Sequence, residues 1–154
     1  ILLKMNGLQD THMVDMLYRA SEAGVKIDLI IRGTCILKPG KKFSKNIRII
    51  RILDRFLEHS RAYIFHNNGN PIVYLGSADW MKRNLNARVE CVFPVYDEAL
   101  KKELIDTLKI QLSDNVKACK IGSHGENIRI KNELPPIQSQ LATYEYLKKK
   151  HPRK

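Results

Sequence analysis

The chain has 154 residues and a formal net charge of +11, from 27 Lys and Arg against 16 Asp and Glu. That length holds one domain with a real core rather than two, and apolar and charged fractions of 44% and 28% exclude disorder as the default. Apolar runs such as 27–31 are far too short to span a bilayer.

No charged leader or cleavage site is visible, so no secretory signal is expected, and a beginning at Ile1 inside a strand pattern reads as the edge of a longer protein. Cys35, Cys91 and Cys119 are odd in number and form no C-x-x-C pair, which points to reduced thiols rather than a zinc site or disulfide framework. The positive charge suits polyanions, whether nucleic acid, anionic lipid or polyphosphate, and does not choose among them. Part of it lies in the tail KKKHPRK, which reads as a solvated end.

In chain order, residues 1–5 read as the end of a strand. Asp10 or Thr11 caps a helix with Met13, Met16, Leu17 and Ala20 at helical spacing, and Gly24 stops it. KIDLIIRG is a continuous apolar strand of the kind buried in α/β sheets, so the first 33 residues form a βαβ unit with a right-handed crossover. A basic loop follows, then the strand NIRIIRI, a short helical turn in LDRFLEHS and the strand RAYIF. HNNGNP is a turn by composition and PIVYLG returns as the second arm of a hairpin. SADWMKRNLNA reads as a loop before the strand RVECVFPV, and Asp97 caps a helix to about Leu112 with Leu100, Leu104, Ile105 and Leu108 on one face. VKACKI is a short strand, 122–136 is irregular, and a last helix covers about 137–149. The whole predicts a single α/β domain with a mixed sheet flanked by helices.

The chemistry gathers around His59. Alternation along a strand puts His59, Arg61 and Tyr63 on one face and Ala62 and Ile64 on the other. An imidazole beside a guanidinium makes a poor core and a good anion site. Seventeen residues after His59 the hairpin returns with Gly76-Ser77-Ala78-Asp79, and Arg83, Asn84, Arg88 and Glu90 follow within one loop and one strand.

The order H-x-R, hairpin, G-S-A-D-W, R-N and R-x-E resembles the half-site of the phospholipase D superfamily. More closely, KMNGLQD, ASEAGVKIDLIIRG, NIRIIRILDRFLEHSR, VYLGSADWMKRNL and RVECVFPV are similar to the C-terminal domain of polyphosphate kinase, from Lys4 to about Lys120. The resemblance implies a phospholipase D-like fold and one C-terminal catalytic domain over 1–154, with 122–154 a polar extension and final helix. It implies an enzyme that reversibly moves the terminal phosphate of ATP to polyphosphate through a phosphohistidine in the preceding domain, so that this piece alone is inactive.

Residue by residue, His59 matches the family's second active-site histidine, to sit cationic against phosphate or shuttle a proton. Arg32 matches the arginine of the I-x-R-G motif, a nucleotide-phosphate contact. Arg61 replaces the superfamily lysine and is expected to grip two phosphate oxygens. Ser77 is expected to donate to phosphate, and Glu90 stands where the superfamily carboxylate fixes the histidine tautomer. Arg83, Asn84 and Arg88 are expected to line the same site. Magnesium would arrive with ATP, since no carboxylate cluster makes a dedicated cage. The implied partners are ATP, ADP and polyphosphate, the remaining domains of the same enzyme, and a second copy in a homo-oligomer. No nucleic acid is expected, and the implied location is cytoplasmic, with peripheral placement at the inner membrane face also open.

Two positions depart from the phospholipase D pattern: His66 stands where it has Asp, and Asp79 where it has Asn. Two other readings use the same residues, a phospholipase D-type phosphodiesterase half-domain and a basic nucleic-acid-binding module. Trp80 reads as a plug under its loop, and His12, His124 and His151 as inert.

Overall fold

Short apolar runs, nearly continuously buried in the central strands because both faces of the sheet are covered, build an eight-stranded sheet, which a computed structural model describes over residues 1–152. The strands are β1 (Leu2–Met5), β2 (Ile27–Ile31), β3 (Ile47–Ile52), β4 (Arg61–Phe65), β5 (Ile72–Gly76), β6 (Val92–Pro94), β7 (Ala118–Ile121) and β8 (Asn127–Arg129). Their order across the sheet is β6-β5-β4-β1-β2-β3-β7-β8. β1, β2 and β3 run parallel, and every other pairing is antiparallel. This is the predicted mixed sheet, and β1 and β2 are joined through helix α1 (Thr11–Glu22) as the predicted βαβ unit.

Period-2 alternation sends side chains to two layers. Leu3, Met5, Leu29, Ile31, Ile49 and Tyr63 pack with Val14 and Leu17 of α1. Ile30, Ile50, Ile52, Ala62, Ile64 and Val73 pack on the other side with Leu108 of helix α3 (Glu98–Leu112). Asp10 caps α1 through Met13 N–H at 3.0 Å, and Asp97 caps α3 through Leu100 N–H at 2.9 Å. The inward stripe of α1 is Val14, Leu17 and Ser21, whereas Met16 is exposed; Leu100 is likewise exposed at the first turn of α3.

Four local expectations are corrected. Residues 53–60 form no helical turn but an extended strap, because the main-chain N–H and C=O of Phe56 bond the Gln140 side chain, at 2.9 and 2.8 Å, instead of neighbours one turn away. The loop 77–87 contains a short helix α2 (Lys82–Asn86). The strand expected over 88–95 pairs only from Val92, with Val89 fully exposed before it. Within 122–136, β8 pairs β7. The final helix α4 (Ser139–Lys150) starts where Ser139 N–H reaches the Asp114 carboxylate at 2.7 Å. Arg153 and Lys154, the end of the basic tail, lie outside the described residues. Among the described residues no helix is long and apolar enough to cross a membrane.

Candidate functional site

Strand direction gathers the site. β1 and β2 run parallel and end at one edge, β4 runs antiparallel to β1 and begins there, and β5 returns to it. Asn6, Arg32, His59, Arg61 and the turn Ser77–Asp79 are therefore delivered together at the carboxyl end of the parallel strands, where open α/β sheets place ligands.

Asp79 ties them. Its Oδ1 accepts from Asn6 N–H at 2.6 Å and Gly7 N–H at 3.1 Å. Arg61 donates from Nε to Oδ1 at 3.3 Å and from Nη2 to Oδ2 at 2.8 Å. The two side chains are only 12% and 7% exposed, so this is a largely buried bidentate pair. Burial pushes the Asp79 carboxyl up, but the Arg61 hydrogen bonds and the two main-chain donors outweigh it and hold the group below its ordinary range.

Asn6 extends the chain of contacts. Its Oδ1 accepts from Arg32 Nε at 2.8 Å, while its buried Nδ2 has no partner among the described residues. Arg32 itself is half-buried, and its Nη groups make no hydrogen bond among the described residues. The turn beneath it is tight: a Cβ on Gly33 would meet Asn6 O at 2.8 Å, and Arg51 Nη2 donates to Gly33 O at 2.6 Å. Only glycine fits that approach.

Arg61 is differently placed. Beyond Asp79, its Nη1 donates to His59 O at 2.7 Å and lies 2.9 Å from His59 Nδ1. A guanidinium carries five N–H donors and no acceptor, so Nδ1 stands on the accepting side of this contact. The His59 ring is exposed, with its Nδ1 edge turned to Arg61. Arg61, expected to grip two phosphate oxygens, has most of its fork turned to Asp79 and His59. With Nε, one Nη2 bond and both Nη1 bonds engaged, a single Nη2–H is left.

Glu90 accepts from Ser77 Oγ and from Asn84 Nδ2, the latter at 2.6 Å. Those two bonds, with Arg88 and Arg61 nearby, hold its carboxyl below the usual range. No bond joins Glu90 to His59 among the described residues; the side chain that meets the His59 ring is Arg61. Ser77 is engaged by Glu90 and by Cys91 N–H at 3.1 Å, and Asn84 is buried, so both brace the loop. Arg83 and Arg88 are exposed on and after α2, outside this network of hydrogen bonds. Each carboxylate at this edge already has protein donors, so the residues present do not fit a dedicated magnesium cage.

Asp79 and Asn6 were not singled out by the sequence. Asp79 was visible only as a departure from G-S-x-N, and Asn6 only as part of KMNGLQD. Tyr63 also belongs to the support: its hydroxyl donates to Ala78 O, and its ring lies parallel to that of Trp80 at 6.0 Å between centroids. Trp80 is half-buried, with its main chain bonded to Gly7, Gln9 and Asp10, so it plugs the loop onto β1.

Comparison with known proteins gives the chain its family. Polyphosphate kinase 1 of Chlorobaculum tepidum is 54% identical over 141 residues, which cover 91% of this chain and 20% of that protein. The crystal structure of polyphosphate kinase from Porphyromonas gingivalis superposes with a TM-score of 0.95 at 55% identity, over 97% of this chain and 23% of that one. The chain thus spans about a fifth to a quarter of the relatives it matches. Nuc from Salmonella typhimurium, a phospholipase D family member, shares the fold alone, with a TM-score of 0.56 at 14% identity over 83% of this chain and 82% of Nuc. The family model described as polyphosphate kinase C-terminal domain 2 matches residues 1–140, and with the predicted phospholipase D-like sheet observed, the chain belongs to that family.

Proposed function

We propose that the chain is the phosphate-gripping C-terminal part of a polyphosphate kinase, which reversibly moves the terminal phosphate of ATP onto long-chain polyphosphate. In this reading the phosphate passes through a histidine in a preceding domain, so these residues alone make no polyphosphate. The whole enzyme is read as a cytoplasmic homo-oligomer, with magnesium entering on the nucleotide rather than on residues of this chain.

The observation that supports it is the inequality of the two arginines. Arg61 is a brace, with one free N–H. Arg32 is anchored by Nε alone, and its Nη edge is open to a phosphate at the end of β2. Phosphoryl transfer needs charge and donors in place before the reaction, since negative charge is spread over the phosphate oxygens throughout. Arg32 supplies the charge and the fork. His59, its Nδ1 edge held against Arg61, turns the other edge of an exposed ring outward as a second contact for phosphate. The phosphodiesterase reading fits less well, because its orienting carboxylate, Glu90, is bonded to Ser77 and Asn84.

The test is a 31P NMR titration of tripolyphosphate on the wild type, Arg32→Ala and His59→Ala. Losing a charge-assisted contact costs about 1.5–3 kcal/mol, so Arg32→Ala should weaken binding about ten- to a hundredfold, and His59→Ala less. Equal binding by all three proteins would remove the assignment.

A further inference from the structure

A second polar cluster lies behind the site, on the opposite face of β1. Lys4 alternates with Leu3 and Met5 and so points into the layer of Ile30 and Ala62, its partners in register. It is 3% exposed. An ammonium in aliphatic surroundings is costly unless it is paired. Lys4 Nζ is paired with the Glu58 carboxylate and donates to Gln111 Oε1 of α3 at 2.8 Å. The second oxygen of Glu58 accepts from Gln140 Nε2 of α4 at 3.0 Å.

Glu58 immediately precedes His59, in the strap that has no helix or strand of its own. Apolar burial does not shape this strap, because Leu53, Phe56 and Leu57 are all exposed. Polar contacts do. Gln138 Nε2 donates to Asp54 Oδ2 at 2.7 Å, Gln140 takes both main-chain groups of Phe56 at 2.9 and 2.8 Å, and Lys4 takes Glu58. Every second residue is thus pinned, from β1 and from the start of α4, both far away in sequence, up to the residue before the histidine.

We propose that Lys4, Glu58 and Gln140 are positioning residues of the phosphate site, a clamp behind the sheet that presents the His59 ring to Arg61 and to phosphate. The inference rests on His59 facing phosphate. A purely structural role makes a different forecast. Buried ion pairs are often replaced by apolar side chains with no loss of stability, so an apolar swap separates holding the fold from placing the ring.

The experiment compares the wild type with the double variant Lys4→Met/Glu58→Leu and with Gln140→Leu. The readings are Tm, the 1H–13C cross-peaks of the His59 ring, and the tripolyphosphate Kd from 31P NMR. The double variant should keep its Tm within a few degrees or raise it, shift or broaden the His59 peaks, and weaken binding about tenfold, the lower end for loss of an outer-shell partner in metal sites. Gln140→Leu should move the peaks and Kd in the same direction by less, and it decides the matter alone if the double variant does not fold. Wild-type peaks and Kd in the folded variants overturn the clamp. If the wild type does not bind tripolyphosphate, or binds it no better than Arg32→Ala does, the phosphate reading fails instead. The His59 peaks then still decide whether the clamp places the ring.

Discussion

The carboxylate of Asp79 reaches past β4 to the end of β1, taking Asn6 N–H at 2.6 Å while it holds the Arg61 Nη2 at 2.8 Å. One side chain after β5 therefore joins two strands that are not both its neighbours in the sheet. Removing one partner leaves the other charged in a nearly closed place. Asp79→Ala should cost about 3 kcal/mol of unfolding free energy, measured by urea denaturation. Arg61→Met added to it should cost far less than its own single loss, since the pair acts as a unit. Additive losses would show that the two residues do not share one interaction.

The same carboxylate sets an acid limit. Its folded pKa lies below the ordinary Asp value, so as pH falls the unfolded chain takes up the proton first. The stabilisation is complete above the unfolded pKa of about 3.9 and is lost as pH drops through the folded value. Asp114 is shifted in the same direction: burial opposes it, and the Ser139, Lys117 and Ala118 donors prevail. Thermal melts from about pH 6 to about pH 2 should therefore fall steeply at the acid end. In Asp79→Asn the fall should be shallower, from a lower starting Tm. Identical slopes would refute the link.

Tyr63 sets a limit at the other end of the scale. Burial, with the Asp79 charge adding to it and Arg61 opposing, pushes its phenol up to about 12. A raised value means its contribution is complete below the unfolded pKa of about 10 and fades as pH climbs towards the folded one. An ultraviolet titration should show a phenol ionising only towards about pH 12, and Tyr63→Phe should delete that step. The same variant gives up the bond to Ala78 O, for about 1 kcal/mol. A titration curve unchanged by the substitution would refute the assignment.

What the sequence made legible was local. The βαβ unit and the 61–76 hairpin follow from periodicity and turn composition, and alternation correctly put Arg61 and Tyr63 on one face and Ala62 and Ile64 on the other. LDRFLEHS was misread because its local helical leaning loses to Gln140, 84 residues away, which captures the Phe56 main chain. Lys4 inside an apolar layer gives no local sign, since its acceptors come from 58 and 111. The site residues were found by type, but their partners were not. Glu90 prefers Ser77 and Asn84 to His59, and Arg61 gives most of its donors to Asp79 and His59, choices made by strands that meet only in the folded chain.

The register of β1 leaves its four residues no tolerance for a change of length. Losing or gaining one residue between Ile1 and Asn6 would invert the strand, turning the Lys4 ammonium towards Leu29 and Tyr63 and a methionine or leucine towards Glu58. It would also draw Asn6 out of step with both Asp79 and Arg32. A substitution along this strand touches one layer or the other, whereas an insertion or deletion there would cost the core and the site in one event.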